Sequence, residues 1–388
     1  MMQARKTVLV YRNDLLPLSE TFIAEQILAL KGWRPVLVGR RLMNELPLKN
    51  LGPQIIQPES PTVQSRLLKK AYKILRTIPP HFKRALKAER PSLIHAHFGP
   101  DALDAWPLAR ALELPMLVTL HGYDINVHRE WWEAGNGGAH MRLYPKRLLQ
   151  LARQPHVGFI AVSKAIRNRA IEFGIPSDKI AVRYIGIDSQ KFARGVVPIA
   201  QRAPRVLFVG RLVEKKGCRY LIEAMVEVQK HVSTARLIVI GDGPLRRELE
   251  QLSQERGIQV YFRGALPNVE VKRELDEARV FCLPSVTATN GDAEGLPISI
   301  LEALASGVPV VTSARGGVGE AVKDEVTGFA FPERDIAALA SNLTTILTRG
   351  VVADRMSNEC VSSVTNCFDI RLLTARLETS YNDALFRL

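Results

Sequence analysis

The chain has 388 residues, long enough for two hydrophobic cores, and its 46% hydrophobic and 24% charged content is ordinary for a globular protein. The formal net charge of +14 sits in the front half: residues 1–195 hold 30 of the 53 Lys+Arg but only 15 of the 39 Asp+Glu. Four cysteines without a Cys-x-x-Cys pair or His ligand spacing exclude a disulfide scaffold and a zinc site, and no apolar window suits a membrane span or a signal-peptide core.

Residues 7–11 read as a first buried strand. A polar turn follows, with Ser19-Glu20-Thr21-Phe22, where Ser19 or Thr21 is expected to cap a helix running through Ala29. Residues 36–38 form a second strand and close a βαβ unit of parallel type. Residues 66–90 then carry nine Lys/Arg and one acid, Glu89, interleaved with Leu67, Leu68, Tyr72, Ile74, Leu75 and Ile78. Part of this run is expected to be a basic amphipathic helix. Such a face suits an anionic membrane, at ~1 kcal/mol per basic residue, or the charged outside of the fold. No recognition-helix, RRM or KH pattern accompanies the charge, which argues against nucleic acid.

Residues 93–97 form a strand that runs into Phe98-Gly99, and residues 117–120 form another, ending at His121-Gly122-Tyr123-Asp124. Ligands gather at the carboxyl ends of strands in parallel α/β sheets, which makes His97 and His121 candidate functional residues. Residues 159–163 are the next strand, with Ser163 capping a helix that continues to Phe173. Residues 188–204, with Gly195, Pro198 and Pro204, read as a linker.

The second half opens with a strand at 205–209 followed by Gly210-Arg211-Leu212-Val213-Glu214-Lys215-Lys216-Gly217. A strand, a glycine and cations on a short loop suit a diphosphate, since Arg binds phosphate bidentately and Lys acts as a point charge. The stretch is no Walker A sequence and lacks Gly-x-Gly-x-x-Gly, which argues against ATPase and NAD chemistry. Residues 237–240 with Gly241-Asp242-Gly243-Pro244 repeat the strand-to-glycine pattern, as do residues 260–263 with Gly264. A polar loop at 287–292 precedes Glu294. From there to Val311 the chain reads as loop, short helix and buried strand. Pro297 suits the first helical turn, Gly307 a left-handed helix end, and Pro309 prevents continuation. N–H groups around Gly295 and Leu296 are then expected at a helix start, which favours anions and hydroxyl oxygens. Glu294 stands beside them, and Glu302 lies roughly two turns further on. Carboxylates bracketing such a start point to a ligand with both hydroxyls and phosphates. Helices are expected near 335–347 and 370–386.

Glu294-x7-Glu302 with Gly295-Leu296-Pro297, Arg211-x4-Lys216 after Gly210, and His121 at a strand end resemble the motifs of retaining GT-B glycosyltransferases of family 4. These include bacterial exopolysaccharide and colanic-acid-type enzymes. The resemblance spans about residues 7–385 and is most specific at 205–330. It implies an α/β GT-B fold, two Rossmann-like domains facing across a cleft. Residues 1–190 would form the acceptor side and residues 204–369 the nucleotide-sugar domain, with a last helix, about 370–388, crossing back to the first. It also implies a hexosyltransferase-type activity that retains anomeric configuration.

By the same resemblance, Arg211 and Lys216 neutralise the donor diphosphate, so that neither metal nor other cofactor is expected. Glu302 holds ribose hydroxyls, and Glu294 with Gly295 and Leu296 holds sugar hydroxyls. Gly210, Gly241 and Arg263 complete the donor side, and His121 reaches the donor sugar or reaction centre. Ser19, Glu20, Thr21 and His97 are assigned to the acceptor side. There the chain departs from the family, with Asn13, Asp14 and Pro17 in a loop that is often glycine-rich. The implied partners are a nucleotide-sugar donor, a glycan or lipid-linked acceptor in cell-surface polysaccharide assembly, and an anionic membrane. The implied location is the cytoplasm, peripheral to the inner membrane face. A GT-B-fold epimerase or phosphorylase, or a transferase using a soluble acceptor, differs in whether and to what external acceptor the sugar goes. A non-catalytic relative would have lost Arg211, Lys216 or Glu294, and all three are present.

Overall fold

A computed structural model describes residues 5–15, 17, 20–43, 51–56, 78–313 and 316–385. The chain divides into two compact units, residues 1–184 with 371–388 and residues 185–370.

The first unit is built on a parallel sheet of seven strands: β1 (Lys6–Tyr11), β2 (Trp33–Gly39), β3 (Gln54–Ile56), β4 (Pro91–His97), β5 (Met116–Leu120), β6 (Val157–Ala161) and β7 (Ile180–Val182). Their spatial order is β3-β2-β1-β4-β5-β6-β7. The inner strands are continuous apolar runs because a parallel sheet is covered on both faces, and Val8 to Tyr11 and Met116 to Leu120 are buried throughout. The longer helices are α1 (Thr21–Leu28), α2 (Pro80–Ala88), α3 (Gly99–Leu112), α4 (Tyr144–Ala152) and α5 (Lys164–Phe173). Ser163 caps α5 as expected, its hydroxyl accepting from Ile166 N–H at 3.2 Å.

The C-terminal helix (Ile370–Leu385) belongs to this unit through its apolar face. Leu377, Tyr381 and Ala384 share one buried cluster with Val8, Val10, Ile23, Ile27, Trp33 and Leu37. The Trp33 and Tyr381 rings meet edge to face at 5.2 Å.

The second unit repeats the plan with six parallel strands: β8 (Arg205–Val209), β9 (Arg236–Ile240), β10 (Val260–Gly264), β11 (Val280–Leu283), β12 (Val310–Ser313) and β13 (Gly328–Phe331). Their order is β10-β9-β8-β11-β12-β13. Its longer helices are α6 (Cys218–His231), α7 (Arg246–Glu255), α8 (Asn268–Glu277), α9 (Ile298–Ala305), α10 (Ile336–Thr348) and α11 (Gly350–Cys367). Both units are therefore Rossmann-like, in the α/β class expected. No single helix among the described residues is long and apolar enough to cross a membrane.

Three local expectations change. The helix at residue 21 takes no side-chain cap, because the Glu20 carboxylate before it turns to Arg12 instead; Ser19 lies outside the described residues. The units divide at Tyr184 and Ile185 rather than beyond residue 188. Residues 185–204 are fastened to the second unit: Ile187 pairs with Asp369, Ser306 donates to the Phe192 carbonyl, and Ala200 N–H donates to Asp354. Of the basic run, residues 66–77, with five of its nine Lys/Arg, lie outside the described residues. Its tail is α2, which buries Phe82 and Leu86 and exposes Arg84 and Lys87.

Candidate active site

In the second unit the loops after β8, β9 and β10 are laced together at glycines. Gly210 N–H donates to the Ile240 carbonyl at 3.0 Å, and Gly241 N–H to the Gly264 carbonyl at 2.8 Å. Gly241 has φ +128°, and a Cβ there would lie 2.0 Å from the Gly210 carbonyl oxygen, so only glycine lets these loops close. Gly217 is equally constrained, with φ +66° and the Pro284 carbonyl oxygen 1.8 Å from where a Cβ would stand. That contact presses the cationic loop against the segment leading to Glu294.

Three polar links then run side by side between the two loops. Glu214 accepts from Thr289, N–H at 3.1 Å and hydroxyl at 3.2 Å. Lys215 Nζ meets Asp292 at 3.1 Å, and Lys216 Nζ meets Glu294 Oε1 at 3.0 Å. Below them Val286 N–H donates to the Lys215 carbonyl at 2.8 Å. The Lys216 and Glu294 side chains are almost buried. Burial works to raise the Glu294 pKa, but Lys216 and then Lys215 overcome it and hold the carboxyl below its usual range. Burial works to lower Lys215, and Glu294 and Asp292 reverse that and raise it. The group thus keeps Lys215 charged beside an ionised carboxylate. Arg211 is exposed at the mouth of the same loop.

Glu302 is buried within α9, and Gly295 and Leu296 are buried ahead of it. Pro297 is the residue before the helix rather than inside its first turn. The N–H groups that a helix start leaves unsatisfied therefore come from Ile298 onward, with Gly295 and Leu296 in the approach. Gly307 takes the left-handed conformation expected, φ +67°. Arg263 does not join this group: its guanidinium is paired with Glu274 at 2.6 Å, on α8.

In the first unit three histidines follow one another across β4 and β5. His95 Nδ1 meets the Tyr381 hydroxyl and its Nε2 the Thr119 hydroxyl, both at 2.7 Å. The His95 and His97 rings lie 4.3 Å apart, and His97 Nδ1 is 3.1 Å from His121 Nε2. Burial drives the pKa of all three well down, that of His95 to about 3, and the three rings are neutral at pH 7. His121 packs on Phe98 at 4.3 Å and Phe22 at 5.4 Å. A buried Asp124 fixes the loop by accepting N–H groups from Gly99, His121 and Gly122. The structure thus joins His97 to His121.

Glu20 and Arg12 form an ion pair, and Arg12 also pairs with Asp101. Asn13 adds hydrogen bonds to Asp101 and Asp104. This network holds the loop after β1, where glycines are replaced, with Thr21 opening α1 beside it. Arg12, Asp101, Lys215, Asp292 and the anchoring role of Asp124 were not foreseen. Asp124 carried a signal, standing three residues after His121 at a strand end, and so did Lys215, beside Lys216 in the cationic loop.

Two family descriptions match the chain in tandem. Glycosyltransferase Family 4 matches residues 25–191, and Glycosyl transferases group 1 matches residues 189–360. The chain belongs to the family 4-type GT-B glycosyltransferases. Among family relatives, the putative colanic acid biosynthesis glycosyltransferase WcaL of Escherichia coli is 33% identical over 66% of this chain and 61% of its own length. The amylovoran biosynthesis glycosyltransferase AmsK of Erwinia amylovora is 33% identical over 65% of this chain and 60% of its own. The matched stretches thus cover about three fifths of these relatives. Among solved structures, Anabaena HepE in complex with UDP has a TM-score of 0.77 at 18% identity, covering 97% of this chain and 100% of that one. Sucrose-phosphate synthase from Thermosynechococcus elongatus has a TM-score of 0.75 at 21% identity, covering 98% and 99%. At these identities the likeness speaks for the shared GT-B fold.

Proposed function

We propose that the protein is a retaining glycosyltransferase that moves a hexosyl group from a nucleotide-diphosphate sugar to a glycan or lipid-linked acceptor in cell-surface polysaccharide assembly. The observation that carries this reading is the nearly buried Lys216–Glu294 pair at 3.0 Å, with Lys215 beside it and Arg211 at the mouth. Cations in a water-poor pocket stabilise the charge that grows on a diphosphate as the glycosidic bond breaks. A diphosphate so neutralised leaves without protonation, and the reaction then calls for no metal. Glu294, once its lysine turns to phosphate, is an acceptor for sugar hydroxyls, and Glu302 takes the ribose. Gly210 and Gly241 let the backbone come close to the diphosphate, with Gly295 and Leu296 beside the sugar. His121, neutral and held by His97, is a hydrogen-bonding group for the donor sugar or reaction centre.

Support for the donor class comes from HepE, whose structures hold UDP and UDP-glucose. Support for the acceptor class comes from the names of the colanic acid and amylovoran relatives. Arg263, paired with Glu274, is left out of the donor assignment. The charge excess of the first unit supports a place at the cytoplasmic face of an anionic membrane. The test is transfer of radiolabelled sugar from a panel of nucleotide sugars to membrane extracts of lipid-linked glycans, with and without EDTA. Chloroform-soluble label that survives EDTA is the expected result. Release of free sugar alone, or complete loss on chelation restored by Mg2+ or Mn2+, contradicts the reading.

A further inference from the structure

A cavity of about 630 Å³ opens in the second unit away from the Lys216–Glu294 group. Its floor is one face of the sheet. Arg205 begins β8, Arg236 and Ile238 alternate along β9, and Tyr261 and Arg263 alternate along β10. The strand register pairs Arg205 with Arg236 and Ile238 with Tyr261, which sets these side chains on a common face. Residues Arg202 to Pro204, with Asp276 and Glu277 of α8, complete the lining. Arg205 and Arg236 start their strands, whereas the Gly210 and Gly241 loops end them. The Arg205–Arg236 end of the hollow therefore lies at the opposite end of the strands from those loops, a strand length of roughly 15 Å away.

Four guanidinium groups converge here, and their partners do not balance them. Glu274 takes Arg263 at 2.6 Å and Arg205 at 2.8 Å, Glu277 also takes Arg205, and Asp276 is held by Lys272. Arg202 and Arg236 are left without a carboxylate bonded to them among the described residues. Arg202 is only 5% exposed. Its Nε and Nη1 donate to the carbonyls of Val197, Leu275 and Ala278, while its Nη2 has no partner among the described residues. A buried donor left so has lost its water without a replacement, a cost that an incoming anion relieves.

We propose that this hollow binds the phosphate of a small phosphomonoester. Arg202 and Arg236 take the phosphate oxygens, and Arg263 closes the rim. Guanidinium suits phosphate through paired N–H donors in one plane. The volume falls in the usual range for small-molecule sites and exceeds what phosphate alone fills. Ile238 and Tyr261 offer the remainder an apolar wall, suited to a sugar ring.

The proposal does not rest on the donor assignment, and calorimetric titration separates the two. Inorganic phosphate and glucose 1-phosphate serve as probes on the full chain, on Lys216→Ala, and on an Arg236→Ala, Arg263→Ala double variant. Both of the latter arginines are exposed, and an unchanged thermal transition checks that the variant folds. Both probes are expected to bind the wild type and Lys216→Ala alike, and to weaken at least about tenfold in the double variant. Equal binding by the double variant, loss of both probes in Lys216→Ala, or no binding to the wild type overturns the proposal. A nucleotide sugar is expected to show the reverse pattern, and failure there alone would strike the donor reading instead.

Discussion

At the scale of single residues, the proposed chemistry turns on charges that are almost buried. Lys216→Ala and Arg211→Ala each remove a cation from the proposed diphosphate site, and losing one such contact typically costs ~2.7–4 kcal/mol of barrier. Each is expected to lower kcat by two to three orders of magnitude, at about that energy, with cooperative thermal unfolding retained. Near-wild-type kcat in both variants would remove the diphosphate assignment. The Glu294 carboxyl carries a second prediction. Lys216 and Lys215 hold its folded pKa below the unfolded value, so its contribution is present above the ordinary carboxylate range and lost as pH falls through the depressed value. Sugar-nucleotide affinity in the second unit is therefore expected to stay flat from about pH 6 to 8. A midpoint near neutrality in a titration series would contradict the pairing. Most of this group could be read from sequence, because Arg211, Lys216, Glu294 and Glu302 sit in fixed local spacings. The Glu214–Thr289 and Lys215–Asp292 links could not, since they join residues about 75 apart that only the Gly217–Pro284 approach brings together.

At the scale of elements, the strands were legible and the caps less so. Buried parallel strands announce themselves as apolar runs, which is why β1, β5, β8 and β9 fall within a residue or two of expectation. The 18-residue α11 was not foreseen: it begins at Gly350 and mixes polar residues throughout, with Ala353, Met356, Cys360 and Val364 as its buried stripe. The 121–124 turn gives a pH prediction of its own. Burial pushes the Asp124 pKa up to about 6, against the pull of N–H groups from Gly122, Gly99 and His121. An acid raised in the folded state adds stability that is full below its unfolded pKa and is lost as pH rises through the folded one. Asp124→Asn is thus expected to flatten the fall in urea midpoint between about pH 4 and 6. An unchanged slope would show that other groups set it. The C-terminal helix is tied to β4 by the Tyr381–His95 bond. Tyr381→Phe leaves a buried imidazole nitrogen unpaired and is expected to cost the first unit about 1–3 kcal/mol by urea denaturation.

For the molecule as a whole, two features of the sequence reached furthest: the doubled α/β plan and the uneven charge. The plan was legible because strand and helix alternate twice with glycine loops at strand ends. The charge is legible only as a sum, and the residues that concentrate it, 66–77, lie outside the described structure. Its proposed use is directly testable on the whole protein. The protein is expected to co-sediment with anionic liposomes at low salt and to leave them at high salt, as the Debye length shortens from ~10 Å at 0.1 M to ~3 Å at 1 M. Reversing charge at Lys69, Lys70, Lys73 and Arg76 is expected to abolish this while sparing sugar-nucleotide affinity. Equal sedimentation with neutral vesicles, or none with either, would leave the basic half as a solvated surface. The central claim, that the Lys216–Glu294 group holds a nucleotide-diphosphate sugar, is tested most directly by calorimetric titration of UDP-, GDP-, ADP- and TDP-sugars into wild type and Lys216→Ala. One base class is expected to bind the wild type in the micromolar range, near −8 kcal/mol at ~1 μM, and to weaken at least about tenfold in the variant. No binding to the wild type by any of the four, or equal binding to both proteins, would contradict it.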